Sequence, residues 1–264
     1  MRVFVEGVGL LGPGLNGWDA SRPSLTGAAA YVEMPTVITA SDLLPPAERR
    51  RTGVTVSLAL AAGHAAFTHA ARDAAATATV FASSGGDGAN LHQICVTLAS
   101  ADREISPTRF HNSVHNAAAG YWSIAVRSQE PSTSLCCYDA SFAAGLLDAA
   151  VQVAVDRQAV ALIAHDQTYP EPLHAVRTLK AHFGVAFVLT PAITSRAFAA
   201  LEISLLPVAG RATRMADSAL EALRAGVPAA RSLPLLAAIA CGAADTVVLE
   251  YLSGNYLRVE VAPC

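Results

Sequence analysis

Charge is scarce in this chain. Asp, Glu, Lys and Arg supply 15% of its 264 residues, against about 25% in an ordinary globular domain, while hydrophobic residues supply 53%. A chain this apolar can bury a large core and still have apolar surface left for a partner or a ligand groove. Its alanine richness inflates the same figure, and composition alone does not separate the two. The net charge of −3 and the pI near 6.2 leave no basic footprint for nucleic acid. No apolar run approaches the 18 residues a membrane-spanning helix needs. The opening MRVFVEGVGLLGPG carries one Arg and passes straight into a glycine-rich turn, without a signal peptide's apolar run and cleavage site. The cysteines are few: Cys95, Cys136, Cys137, Cys241 and Cys264. An odd number with one adjacent pair argues against a disulfide framework, so a reducing, cytoplasmic location is expected. Histidine is missing from a whole region, with none after His182.

What is present alternates between strand and helix. Val3 to Val8 reads as a strand ending in a glycine-rich turn, and Ser41 to Ala76 as helix. Thr77 to Ala82 is a β-branched run that enters Ser83-Ser84-Gly85-Gly86-Asp87-Gly88, as buried strands of α/β folds enter ligand-facing loops. Asn116 to Val126 reads as helix, Thr133 to Cys137 as strand, Ser141 to Asp156 as an apolar helix and Ala159 to Ala164 as an interior strand. Val185 to Leu189 and Ala200 to Leu205 extend the alternation. Leu235 to Val261 holds one helix and two strands around a hairpin at Ser253-Gly254-Asn255. There is no solenoid-scale repeat and no obvious linker.

Seven segments stand in the order and spacing of the β-ketoacyl synthases. VEGVGLLGPGLNGWDASRPSLTG resembles their opening strand, glycine turn and short helix. RRRTGVTVSLALAAGHAAF resembles their Arg-Arg…Leu-Ala-Leu-x-Ala-Ala helix, and VFASSGGDG the strand and glycine loop after it. ISPTRFHNSVHNAAAGYWSIA resembles the segment ending in Asn-x-x-x-Gly-x-x-Ser-Ile, here Asn116, Gly120, Ser123 and Ile124. TSLCCYDASFAAGLLDAA stands at the family's nucleophile elbow, DRQAVALIAHD at its Gly-Asp-Ala-Asp-Val strand and GVAFVLT at the strand beyond. The resemblance covers residues 3 to about 190. It implies a thiolase-like α/β fold in a single domain, 1–264, with one complete ketosynthase half (1–190) and a reduced C-terminal remnant (191–264). More narrowly, the chain resembles the short ketosynthase-like proteins of aryl polyene and xanthomonadin-type pigment pathways, the chain length factors.

The resemblance also implies a missing catalytic centre. A ketosynthase uses a thiolate at a helix N-terminus, where backbone N–H groups lower the cysteine pKa, and two histidines from its second half. Counting back from Ala159–Ala164 without gaps puts Asp139 at the nucleophile position. A carboxylate caps a helix well and accepts an acyl group poorly. A two-residue gap would bring Cys137 to the elbow instead, yet residues 183 to 264 offer no histidine. The expected role is therefore a non-catalytic subunit that pairs with a full-length catalytic ketosynthase, meets acyl carrier protein indirectly and needs no cofactor. By resemblance, Phe110, His111, Val114, His115 and Tyr138 are pocket or interface residues, and Thr133, Ser134, Leu135, Cys136 and Cys137 form the interface strand that meets its mate across the dimer axis.

Other residues read more plainly. His111 and His115 lack further ligands at metal-binding spacing. The Ser83–Gly88 loop lacks a P-loop's Gly-Lys-Ser/Thr ending. His165-Asp166 replaces the family's Gly-Gly, which leaves the local geometry open. Arg49, Arg50 and Arg51, the one basic run, suit a solvated helix start or the greeting of an acidic carrier protein. Phe142 and Leu146 read as core. The alternative function is a stand-alone acyltransferase or thioesterase using Cys137 or Ser141.

Overall fold

A computed structural model describes residues 1–39, 42–207, 211–252 and 254–264. Among these, β1 (Arg2–Gly12), the two-residue β2 (Leu15–Asn16), β3 (Ala78–Ala82), β4 (Ser132–Leu135), β5 (Val160–Asp166), β6 (Phe183–Thr190), β7 (Ala199–Pro207), β8 (Asp245–Glu250) and β9 (Asn255–Pro263) form one mixed sheet. Its order is β4-β3-β5-β6-β1-β7-β9-β8, with β2 folded back on β1. β3, β4 and β5 run parallel, and the remaining neighbours pair antiparallel.

Helices cover both faces of the first part of the sheet. They are α1 (Trp18–Leu25), α2 (Pro46–Arg49), α3 (Val54–Ala70), α4 (Gly88–Ala99), α5 (Pro107–His111), α6 (Ala117–Val126), α7 (Ser141–Asp156), α8 (Leu173–Val176), α9 (Ser218–Gly226) and α10 (Leu233–Cys241). Every residue of β3, β5 and β6 is buried, as expected of strands enclosed on both faces. Successive side chains divide between two cores. Val160, Leu162 and Ala164 join the cluster of α7, α9 and α10, while Ala161 and Ile163 join that of α3 and α6, the period-two alternation of a strand. α3 lies directly on β1, where a Cβ on Gly7 or Gly9 would run into the carbonyls of Ala66 and Ala62. That contact explains the glycines of the opening motif.

The second part repeats a portion of the first. The neighbours β1-β6-β5 correspond to β7-β9-β8, and α10 precedes β8 as α7 precedes β5. Here one face alone is covered. Leu201, Ile203, Val247, Leu249, Leu257, Val259 and Val261 are buried, whereas Glu202, Ser204 and Glu260 between them are exposed.

Several expectations need correction. The helix expected over 41–76 is two helices, because Arg50–Thr52 turn and Gly53, in extended backbone, starts α3 anew. Ala71, in left-handed conformation at φ 46°, ends it. Ser41 lies outside the described residues. The strand expected over Thr133–Cys137 is β4, which stops at Leu135, so Cys136 and Cys137 belong to the connection beyond it. α4 and α9 were not expected from the sequence. The C-terminal hairpin is present as β8 and β9, with Ser253 outside the described residues.

Candidate functional site

The chain leaves β4 at Leu135 and reverses at Tyr138, whose φ of 53° is left-handed. Tyr138–Ala140 form a 3₁₀ turn that leads into α7. Ser141 fastens this elbow: its Oγ donates to the Tyr138 carbonyl at 2.7 Å and accepts the Cys137 N–H at 3.0 Å. Both roles of the hydroxyl are used, and the residue is buried. Burial, with Cys136 adding to it, pushes the Cys137 thiol above its ordinary pKa, the reverse of what an attacking thiolate requires. Cys136 is exposed and places its Sγ 3.1 Å from the Ser84 carbonyl.

Asp139 stands in the first turn of the elbow and is held from two sides. Arg177 Nη2 donates to Oδ1 at 2.9 Å and Arg231 Nη2 to Oδ2 at 3.2 Å. Arg231 also pairs with Glu250 of β8. The Arg177 guanidinium lies on the Tyr138 ring, with Cζ 3.5 Å from its centroid. A cleft of about 230 Å³ remains here, lined by Tyr138, Asp139, Arg177, Pro228 and Arg231 among others. A chain of ion pairs, Arg177–Asp139–Arg231–Glu250, therefore spans the turn that opens α7.

Behind the elbow lies a buried polar layer. Asp166, the last residue of β5, accepts Ser84 N–H at 2.8 Å, Ser84 Oγ–H at 2.6 Å and Ala229 N–H at 2.7 Å. Burial raises its carboxyl to about 6 against these donors. Burial, with His115 adding to it, lowers the neighbouring His165 to about 4. The His165-Asp166 replacement thus continues β5 without a break and ties it to the segment before α10.

The glycine loop seats an aromatic ring. A Cβ on Gly85 or Gly88 would run into Tyr169, which also lies near enough to Arg177 to favour its charged form. Asp87 of the loop caps α4 through Asn90 N–H at 2.9 Å and accepts from Gln167 at 2.8 Å.

Outside the elbow, the structure places the expected interface residues on open surface. β4 pairs with β3 alone, and its other edge is free among the described residues. Thr133, Ser134 and Leu135 are partly buried, and Tyr138 is 59% exposed. Phe110 and Val114 are 67% and 53% exposed. His111 and His115 are also exposed, with His115 Nε2 3.3 Å from the Ser83 carbonyl. Leu91, Leu98, Ile124, Val151 and Val155 on α4, α6 and α7 add exposed apolar surface. Among the described residues, no three His, Cys, Asp or Glu side chains gather as a metal site, and no helix is long and apolar enough to cross a membrane. A separate cleft of about 570 Å³ is rimmed by Arg50, Arg51 and Arg109.

The model of the beta-ketoacyl synthase N-terminal domain matches residues 20–241. The chain belongs to this family. No curated protein sequence matches it. Among solved structures, it is similar to a chain of the ketosynthase ApeO in complex with its chain length factor ApeC from Xenorhabdus doucetiae. That match has 20% identity and a TM-score of 0.75, covering 98% of this chain and 99% of the other. A chain of the ishigamide ketosynthase/chain length factor is similar at 14% identity and a TM-score of 0.74, covering 100% and 99%. The type II assembly AntDE:AntF, a ketosynthase complex with its acyl-carrier protein, matches at 9% identity and a TM-score of 0.78, covering 100% and 99%. The shared fold is the thiolase-like one of ketosynthases, with one complete half and a shortened second half.

The resemblance singled out Asp139 and gave no sign of the residues that hold it. Arg177 and Arg231 lie 38 and 92 positions further along the chain, and neither carries a local motif. Asp166 was visible as a departure from Gly-Gly, and a buried strand ending in a carboxylate was the signal that it needed donors.

Proposed function

We propose that this chain is a non-catalytic, chain-length-factor-like subunit that pairs with a full-length catalytic ketosynthase and shapes its acyl pocket from across the interface. The observation that carries the reading is Asp139 at the elbow, bonded by Arg177 and Arg231. The side chain where an acyl group would be accepted is a carboxylate already paired twice. The lack of histidine after His182 supports the same reading.

The free edge of β4 supports pairing. A strand edge with unpaired N–H and C=O groups calls for another strand or invites aggregation, and α6 and α7, which pack against β4, carry the exposed apolar residues Ile124, Val151 and Val155. The ApeO–ApeC and ishigamide structures are complexes of a ketosynthase with a chain length factor, and the AntDE:AntF complex includes an acyl-carrier protein. By analogy, residues 191–264 are the reduced second half, acyl carrier protein delivers substrate to the catalytic partner, and the setting is an aryl polyene or xanthomonadin-like pathway in the cytoplasm. Intact-mass analysis of both subunits after incubation with acyl-loaded carrier tests this. Acylation confined to the longer chain supports the reading, and acylation of this chain removes it.

A further inference from the structure

The elbow holds Tyr138 in an unusual state. A non-glycine residue at φ 53° carries a backbone cost that its surroundings must offset, and Tyr138 is nonetheless 59% exposed. A large aromatic ring in a strained turn gains nothing by standing in water.

Its surroundings account for the direction of the ring. One face is covered by Arg177, with Cζ 3.5 Å from the ring centroid. Arg177 is held by Asp139, which accepts from its Nη2 at 2.9 Å, and Tyr169 is near enough to favour its charged form. Tyr169 is itself seated against Gly85 and Gly88. The glycine loop, Tyr169, Arg177 and Tyr138 thus lie in succession. It leaves the ring fixed on one side and open on the other, three residues beyond the end of the free strand edge.

We propose that Tyr138 is an anchor residue for the catalytic ketosynthase, held ready by Arg177 and Asp139 so that little side-chain freedom is lost on docking. This rests on the partner-subunit reading above and adds to it the residue that carries much of the affinity. Buried aromatic residues dominate interface energies in this way, and pre-ordering a ring lowers the cost of docking it. The positions around an obsolete nucleophile would then serve to position a contact. Asp139 and Arg177 are positioning residues, and Tyr138 makes the contact. The occupant is a second thiolase-fold chain, because the adjoining β4 edge asks for a strand and the similar ApeO–ApeC structure is a complex of ketosynthase-family chains.

The test measures the dissociation constant between this chain and a full-length catalytic ketosynthase of the same organism, for the wild type and four variants. Tyr138→Phe, which keeps the ring, should bind within twofold of wild type. Tyr138→Ala should weaken binding at least tenfold with an unchanged thermal midpoint of the isolated chain. Arg177→Met should weaken it in the same direction. Arg177→Lys, which offers Asp139 a cation but lays no flat guanidinium on the ring, should fall between. Tyr138→Ala binding within twofold of wild type would overturn the anchor role while leaving the partner reading in place. Failure of the wild-type chain to bind at all would overturn both.

Discussion

The carboxylate of Asp166 accepts the backbone N–H of Ala229 at 2.7 Å, joining the end of β5 to the 3₁₀ segment that opens α10. Two carboxylates grip that same segment, since Asp139, in the turn that follows β4, reaches Arg231 two residues further on. The two parts of the sheet are therefore fastened at the C-terminal ends of the first part's strands.

The buried pair His165-Asp166 gives opposed contributions to stability as pH changes. Asp166 has its carboxyl raised from 3.8 to about 6. Its contribution is complete below pH 4 and is lost as pH rises through 6. His165 is lowered from 6.5 to about 4, so its contribution is present above pH 6.5 and lost as pH falls through 4. Each shift corresponds to about 3 kcal/mol, and over pH 4–6 the two largely cancel. Denaturant unfolding of the wild type should show a nearly flat profile there. Asp166→Ser should give stability that rises with pH across this window, and His165→Phe stability that falls. Parallel profiles in all three proteins would refute the assignment.

Gly85→Ala and Gly88→Ala each place a Cβ against Tyr169. Overpacking of this kind costs about 1–3 kcal/mol. The Gly85 clash is with the Tyr169 hydroxyl, so Tyr169→Phe should recover part of the loss for Gly85→Ala. It should recover little for Gly88→Ala, where ring carbons are struck. Chemical denaturation of the three single and two double variants reads the difference. Equal recovery in both would show that Tyr169 does not lie as described.

Asp139→Cys should not create an acyl acceptor. The new thiol would sit between Arg177 and Arg231 in a cleft of about 230 Å³, without a histidine from residues 183–264. Intact mass after incubation with acyl-carrier substrate should be unchanged. Asp139 is 40% exposed, so the loss of stability should stay near 1 kcal/mol per ion pair. Rapid acylation of the variant would contradict the view that the whole centre, beyond one residue, has been replaced.

Arg50 and Arg109 rim the larger cleft and have no acidic partner among the described residues, whereas Arg51 pairs with Glu48 at 3.2 Å. If an acidic carrier protein passes this face, Arg50→Glu with Arg109→Glu should slow product formation by the assembled complex severalfold at low salt. The effect should fade near 1 M salt, where screening acts over about 3 Å. A rate unaffected at low salt would remove the cleft from the carrier's path.

The fold was legible because its signals are local and ordered. β3, β5 and β6 are short apolar runs, β3 leading into the glycine loop, and α7 is one unbroken apolar helix. The helix expected over 41–76 failed because alanine masks boundaries: Gly53 and Ala71 set the ends of α3 through backbone conformation that composition does not report. At the site, counting along the family resemblance singled out Asp139, which lies in the turn that opens α7. Its partners could not be read, because Arg177 and Arg231 meet it only after α8 and α10 have folded back over the strand ends. Cys137 and Ser141 were tempting for their chemistry, and their environments remove the temptation. The thiol is pushed up by burial, and the hydroxyl is spent on the turn.

The most direct test of the account is native mass spectrometry of this chain co-expressed with a full-length catalytic ketosynthase of the same organism, followed by acyl labelling. The account predicts a stable one-to-one complex with every acyl group on the longer chain. A homodimer that ignores the ketosynthase, or an acyl group on this chain, would contradict it.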